Sequence, residues 1–359
     1  MSDSNTPEVS ALLSWYDRSR RDLPWRSPLG AAPDPYRVWL SEIMLQQTTA
    51  AAVSSRFGAF LARFPTVEAL AEAPWEEVAR AWAGLGYYAR ARNLHAAARM
   101  VAERGAFPDD VQGLRALPGV GGYTAAAIAA IAFGRAEVPV DGNVERVTSR
   151  LFAVEDPLPG AKARLRHLAR QLADDPAARA RPGDFAQALF DLGASVCRPR
   201  RPLCPVCPWR AACAGLRAGL AGSLPRKLRK DARPRRFGVV FWLEDGSGRV
   251  LLQRRPAKGL LGGMLELPGT PWREAAWPDA EALLHAPIEA TWAEAGTVRH
   301  VFTHFALELS VRVGRFEGIL HGYTVPWAEV LGAGLPGVMA KAARAALTVH
   351  GRAAADASA

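Results

Sequence analysis

Three groups of residues in this 359-residue chain have types and spacing that chemistry could use. The first is a carboxylate inside an apolar run: Glu42, in Tyr36-Arg37-Val38-Trp39-Leu40-Ser41-Glu42-Ile43-Met44-Leu45-Gln46-Gln47-Thr48. On a helix, Glu42, Leu45 and Gln46 share one face. A Glu held among apolar neighbours has its pKa raised, which suits a general acid at neutral pH. The same spacing also fits a Glu on the solvent side of an amphipathic helix, but the polar Gln46-Gln47-Thr48 cluster that closes the run points to a wet, specific surface. The second group is the turn Leu117-Pro118-Gly119-Val120-Gly121-Gly122 followed, one helix later, by Asp141 and Asn143. Pro fixes φ and the glycines permit positive φ and close backbone approach. Amides left unpaired at the start of the next helix form a site for an anion, above all a phosphate. Such a turn also serves as a plain connection, and an Asp at a helix start as an N-cap. Taken together, a turn that grips a backbone and a nearby carboxylate point to a protein that holds nucleic acid and does chemistry on it. The third group is Cys197-x6-Cys204-x2-Cys207-x5-Cys213, which contains every cysteine of the chain. Thiolates so close in sequence can surround one metal centre, and spacing alone leaves zinc and an iron–sulfur cluster both open.

The elements that must position these groups are helical up to about residue 225. Apolar residues recur at helical spacing in Val9–Tyr16, Tyr36–Phe64, Val67–Leu70, Glu76–Trp82, Tyr87–Val101, Tyr123–Phe133 and Phe185–Leu192. Pro65, Pro74, Gly84-Leu85-Gly86 and Pro108 punctuate them. From Pro225 to Arg236 the sequence PRKLRKDARPRR carries seven basic residues against one Asp and reads as an exposed linker. Beyond it the pattern changes. Phe237–Leu243, the turn Asp245-Gly246-Ser247-Gly248 and Arg249–Gln253 predict a hairpin; Val298–Phe305 and Leu307–Val313 predict two more strands, and Asp279–Leu284 and Gly337–Thr348 predict helices. The expected organisation is an all-α domain over 1–224, a linker over 225–236, an α+β domain over 237–350 and a tail over 351–359.

Length suits two domains. A net charge of +10 favours a polyanionic partner without choosing nucleic acid over a membrane surface. No apolar run reaches the roughly 18 residues of a spanning helix, and the polar MSDSNTPEVS start lacks the order of a signal peptide. The cysteine usage argues against a secreted disulfide framework. A cytoplasmic location, nucleoid-associated in a bacterial cell, is expected, with no membrane partner.

The motifs together resemble the helix-hairpin-helix DNA glycosylases of the endonuclease III superfamily, and within it the adenine DNA glycosylases of the MutY kind, over roughly residues 8 to 350. Leu117–Gly121 is similar to the hairpin, Val140–Arg146 to the catalytic Asp loop and the cysteine run to the [4Fe–4S] loop. The C-terminal half, with His300-Val301-Phe302-Thr303-His304-Phe305, is similar to the Nudix-like (MutT-like) domain of that family. The resemblance implies a monofunctional enzyme that flips adenine out of duplex DNA, where it is mispaired with 8-oxoguanine or guanine, and leaves an abasic site. It implies Glu42 as the acid that protonates adenine at N7 and Asp141 as the charge that stabilises an oxocarbenium-like sugar, with Tyr123 and Asn143 in support. Trp25 and Arg26 would line the adenine pocket. Gln47, Thr48, Leu85, Gly86 and Tyr87, with Phe302, Thr303 and His304, would read 8-oxoguanine, Tyr87 as a wedge in the base stack. Pro118, Gly119, Val120, Gly121 and Gly122 would face a phosphate, held by the amides of Val120 and Gly122. Cys197, Cys204, Cys207 and Cys213 would hold a structural [4Fe–4S] cluster in an enzyme acting as a monomer.

Two departures refine this. Bifunctional relatives carry a lysine right after the hairpin, where this chain has Tyr123, so a β-lyase of that type lacks its nucleophile. After Glu266-Leu267-Pro268-Gly269 the paired magnesium-binding glutamates of a Nudix hydrolase are missing, which disfavours a nucleotide hydrolase. The alternatives are a thymine-mismatch glycosylase of the same superfamily and a non-catalytic damage-binding protein; the presence of both Glu42 and Asp141 speaks against the second.

Overall fold

The computed structural model describes residues 7–228, 233–256 and 259–356, so residues 229–232 of the basic linker and 357–359 of the tail lie outside the described residues. The chain divides into two compact units, one formed largely by the residues before 229 and one by those after it.

The first unit is helical throughout: α1 (Val9–Ser19), α2 (Pro35–Leu45), α3 (Ala50–Arg63), α4 (Val67–Glu72), α5 (Trp75–Ala81), α6 (Tyr88–Arg104), α7 (Val111–Arg115), α8 (Gly122–Phe133), α9 (Gly142–Leu151), α10 (Lys162–Ala173), α11 (Pro176–Ala180), α12 (Pro182–Asp191) and the short α13 (Ala214–Arg217). The apolar stretch Tyr36–Phe64, regular at helical spacing throughout, forms two helices that meet at the Gln46-Gln47-Thr48 cluster. Gln47 adopts φ 56° in the left-handed region, and Thr49 caps α3 by accepting from the Ala52 amide. Helix α8, GYTAAAIAAIAF, has no polar face because it has no solvent face: Thr124 to Ala130 are all buried. Its small side chains let α2, α7 and α12 pack around it. A second core, built from Leu12, Tyr16, Val144, Val147, Phe185 and Leu189, joins α1, α9 and α12. Each such large apolar side chain contributes about 1.5–3 kcal/mol relative to its exposed state.

The second unit is a six-stranded mixed sheet with helices on both faces. Its elements are β1 (Arg235–Asp245), β2 (Arg249–Arg254), β3 (Leu265–Glu266), α14 (Asp279–Leu283), β4 (Trp292–Val301), β5 (Ala306–Phe316), β6 (Tyr323–Pro326) and α15 (Gly337–Asp356). The order is β3-β2-β1-β5-β4, with β6 pairing β2. Strand β1 lies parallel to β5, from Arg235 opposite Ala306 to Asp245 opposite Phe316. Its residues from Gly238 onward are buried on both faces: Val240 and Trp242 meet the α15 side, Val239 and Phe241 the α14 side.

Here the structure corrects three sequence expectations. Strand β4 ends at Val301, and Phe302–Phe305 is a turn, closed by the Phe302 amide donating to the Phe305 carbonyl at 2.8 Å. Arg235 and Arg236, assigned from sequence to the linker, begin β1, and Lys227 bridges to Leu158 of the first unit. Helix α15 continues through 351–356, where a tail is expected. Among the described residues no helix is long and apolar enough to cross a membrane.

Candidate active site

Helices α2 and α9 bring the two carboxylates to one cleft of about 1040 Å³. Trp25, Arg26, Glu42, Gln47, Thr48, Gly119, Gly121, Tyr123, Asp141 and Asn143 all line it. Leu85, Gly86, Tyr87, Pro118, Val120, Gly122 and the four cysteines are not among its lining residues, and Phe302, Thr303 and His304 belong to the second unit.

Glu42 lies on the buried face of α2 with 6% of its surface exposed. Burial, helped by the charge of Asp141, pushes its carboxyl up to about 7, against the opposing pull of the Tyr123 hydroxyl and Arg26. Tyr123, on the first turn of α8, lines the cleft beside that carboxyl. Burial first, then the charges of Glu42 and Asp141, hold the Tyr123 phenol well above its usual range, so it remains a donor. Packing of α8 against α2 creates this pair, 81 positions apart in sequence (42 and 123).

Asp141 is held in the opposite way, by polar contacts. It is the N-cap of α9, its Oδ1 accepting from the amides of Asn143 at 2.9 Å and Val144 at 2.8 Å. The Asn143 side-chain amide donates to Oδ2 at 2.9 Å. The cap reading and the catalytic reading of Asp141 are therefore compatible: capping fixes the carboxylate at the cleft. Arg146, one turn on, donates to Asn143 Oδ1 at 2.9 Å, to the Gly193 carbonyl and to the Cys197 carbonyl, both at 2.8 Å. A Cβ on Gly193 would come within 2.6 Å of the Asn143 Cβ, so only glycine permits this approach.

Sequence reasoning missed Asp191, at the end of α12 and fully buried. Arg26 grips it with both guanidinium ends, at 2.6 and 2.8 Å, and Arg21 adds its amide at 3.0 Å and its side chain. Burial alone would push this carboxyl up; the arginines outweigh it and hold it below the usual range. Arg26 lines the cleft while its guanidinium is committed to Asp191. The one available signal was an Asp closing the apolar run Phe185–Phe190. Gln187 of α12, also on the cleft, was missed as well.

The hairpin is α7, the turn and α8. Gly119 takes φ 78°, and a Cβ there would meet the Asn93 side chain. Gln46, capping α2, donates to the Gly119 carbonyl at 3.2 Å and to Thr124 Oγ1 at 3.1 Å, tying the turn to the acid-bearing helix. The Val120 amide, expected to grip a phosphate, instead closes the turn onto the Leu117 carbonyl at 3.1 Å. The first donor to the Gly121 carbonyl is Ala125, which leaves the amides of Gly122, Tyr123 and Thr124 as those the helix start cannot pair internally.

All four cysteines line one small cavity beside Arg150, and none forms a disulfide. Arg150 donates to the carbonyls of Arg198 at 2.7 Å and Pro199 at 3.1 Å and to Cys197 Sγ at 3.4 Å. Among the described residues no three His, Cys, Asp or Glu side chains stand close enough to chelate a bare ion. An all-sulfur donor set converging on one cavity, with a guanidinium beside it, fits a thiolate-bound centre that carries negative charge.

In the second unit, Phe302 is half-buried in an aromatic group, stacked on Trp272 at 5.7 Å and edge-on to His300 at 4.6 Å, while Thr303 and His304 are exposed at the hairpin tip.

Residues 40–173 match the family described as HhH-GPD superfamily base excision DNA repair protein, and residues 239–345 match the NUDIX domain. The chain is 39% identical to adenine DNA glycosylase of Homo sapiens, over 88% of this chain and 68% of that protein. It is also 39% identical to adenine DNA glycosylase of Mycobacterium tuberculosis, over 82% of this chain and 92% of that one. A solved thermostable thymine-DNA glycosylase is 32% identical with a TM-score of 0.51, over 58% of this chain and 95% of that chain. With two carboxylates facing one cleft beside a helix-hairpin-helix, and relatives matched across both units, the chain belongs to the adenine DNA glycosylase family and is a DNA N-glycosylase of base excision repair.

Proposed function

We propose that the enzyme is monofunctional, acts as a monomer and removes adenine mispaired with 8-oxoguanine or guanine in duplex DNA, leaving an abasic site. The observation that carries this reading is the buried Glu42, beside Tyr123, lining the same cleft of nucleotide size as Asp141. The flipped adenine enters the cleft between Trp25 and the α2 wall. Glu42 gives its proton to N7, the C1′–N9 bond breaks with its electron pair leaving on the base, and the sugar becomes an oxocarbenium-like cation. Asp141, its carboxylate fixed by three N–H donors, stabilises that cation. Water adds to C1′ and its proton passes to the Glu42 carboxylate.

An amine nucleophile is missing from this scheme. Lys162 is the single lysine of residues 1–226, and it pairs with Glu145 at 3.2 Å, outside the cleft lining. This supports hydrolysis over a Schiff-base route.

Phosphates of the gripped strand fit the amides at the start of α8. Cys197, Cys204, Cys207 and Cys213 are the residues that would hold a [4Fe–4S] cluster. That group supplies structural cross-linking of the loop bearing Arg198, Arg200 and Arg201, and no step above runs through it. Gln47, Thr48, Leu85, Gly86 and Tyr87 of the first segments, with Phe302, Thr303 and His304 at the second unit's hairpin tip, read the opposite base.

The test is a single-turnover assay on a duplex with one adenine opposite 8-oxoguanine, read with and without hot alkali. Strand cleavage only after alkali is the expected result. Cleavage without alkali would demand a lyase nucleophile, and tight binding with no product would make the protein a damage sensor. For the reading of the opposite base, Phe302→Ala or His304→Ala should erode the preference for 8-oxoguanine over guanine several-fold; an unchanged ratio would assign reading to the first unit alone.

A further inference from the structure

One buried cation outside the reacting groups joins the two segments assigned above to opposite-base reading. Arg90, near the start of α6, is 7% exposed. Its Nη1 donates to the carbonyls of Ile43 at 3.0 Å and Met44 at 2.8 Å, the last turn of α2 after Glu42. Its Nη2 donates to Thr48 Oγ1 at 3.0 Å and to the Leu85 carbonyl at 2.8 Å. The guanidinium carbon lies 5.3 Å from the centre of the Trp82 ring, itself fully buried. The carbonyls at a helix end have no intrahelical donor and carry the negative end of the dipole, so a fixed guanidinium is a fitting cap for α2. Its planar fork places four donations in one plane, which an ammonium cannot imitate.

Each clamped segment also carries a non-glycine residue in the left-handed region, Gln47 at φ 56° and Tyr87 at φ 48°. Such backbone is strained for a residue with a side chain and persists only where the surroundings over-determine it. Arg90 grips Thr48, directly after Gln47, and Leu85, two residues before Tyr87.

We propose that Arg90 is a positioning residue that locks the end of the Glu42-bearing helix to Thr48 and Leu85, so that reading of the opposite base by their segments and proton delivery to adenine depend on one side chain. This rests on the proposed function of those segments and extends it. A base seated correctly against either segment braces the same fork that fixes the Glu42 helix; a poorly seated one leaves the fork loaded on one side.

The experiment is single-turnover excision by Arg90→Lys, with adenine opposite 8-oxoguanine and opposite guanine. Amplitude counts folded, competent enzyme and the rate constant reports the chemistry, so a partly folded preparation still reads out. Misplacement of a reacting group by about 1 Å can cost on the order of 100-fold. The expected result is a fall of about that size opposite 8-oxoguanine and of only about tenfold opposite guanine, so that the preference contracts about tenfold. Equal falls opposite both bases, with the ratio unchanged, would show a merely structural arginine and overturn the proposal. If Arg90→Lys gives no folded enzyme, Trp82→Phe replaces it: every hydrogen bond of Arg90 stays, only the ring beneath the fork changes, and a smaller contraction in the same direction is required. A wild-type enzyme with no preference for 8-oxoguanine would instead refute the function assigned to the segments, and this inference with it.

Discussion

The two walls of the cleft each present one carboxylate, and they hold it by opposite physics. On the α2 wall Glu42 sits among apolar side chains with the Tyr123 phenol nearby, and burial drives its carboxyl toward the protonated form. On the α9 wall Asp141 faces three N–H donors at a helix N-terminus, an arrangement made for a carboxylate anion. The same functional group is thus placed in two opposite surroundings. The difference also sets what each wall can tolerate: the α2 wall works by excluding water, the α9 wall by a chain of hydrogen bonds that runs through Asn143 and Arg146 to the carbonyl of Cys197.

The largest effect should come from removing the acid. Glu42→Gln is expected to lower excision about 10²–10⁴-fold while leaving affinity for the mispaired duplex intact, measured by single turnover and by a binding titration. Near-wild-type excision would strip Glu42 of its role. Asp141→Asn keeps a capping oxygen and removes the charge, so excision should fall about 10²–10³-fold with a nearly unchanged melting temperature. A large drop in melting temperature would mean the α9 wall is chiefly structural.

The pH profile sharpens the contrast. If Glu42 gives the proton as proposed, its carboxyl pushed up to about 7 makes excision flat below that pH and falling about tenfold per unit above it. The Tyr123 hydroxyl favours the charged form of Glu42, so Tyr123→Phe should move the midpoint to higher pH; a shift downward would contradict that influence. The smallest effect is on stability. The folded-state pKa of Glu42 lies above its unfolded value of about 4.3, so its contribution to stability is fully present below that value and is lost as pH rises through about 7. Glu42→Gln should therefore gain about 2–4 °C in melting temperature at pH 8 relative to the wild type, with the gain vanishing below about pH 4, by differential scanning calorimetry. Equal shifts at both pH values would show that the buried charge is not the cause.

Much of this was legible in the chain. A lone Glu in an apolar helix, a Pro-Gly-Val-Gly turn, an Asp before Gly-Asn-Val and a tight cysteine run are local signals, readable because capping, turn chemistry and thiolate spacing act within a few residues. The break between α2 and α3 was not read from periodicity, since the apolar spacing continues across Gln47 while its backbone turns. The end of β4 at Val301 was misread for a similar reason: Phe302 and Phe305 keep the apolar pattern of a strand, but they pack as an aromatic group around a turn.

By itself the sequence determined the types of group at the site, the helical and mixed character of the two units and the lysine-poor composition that leaves Lys162 alone before residue 227. The tertiary structure decided which of these groups meet. Burial of α8 between α2 and α12 creates the Glu42–Tyr123 pair, and the fully buried Asp191 takes the Arg26 fork. Arg90 likewise reads from the chain as one more solvated arginine of α6. The physical reason is the same in each case: desolvation and hydrogen-bond partners depend on neighbours brought from far along the chain, and no local pattern of residues records who those neighbours are.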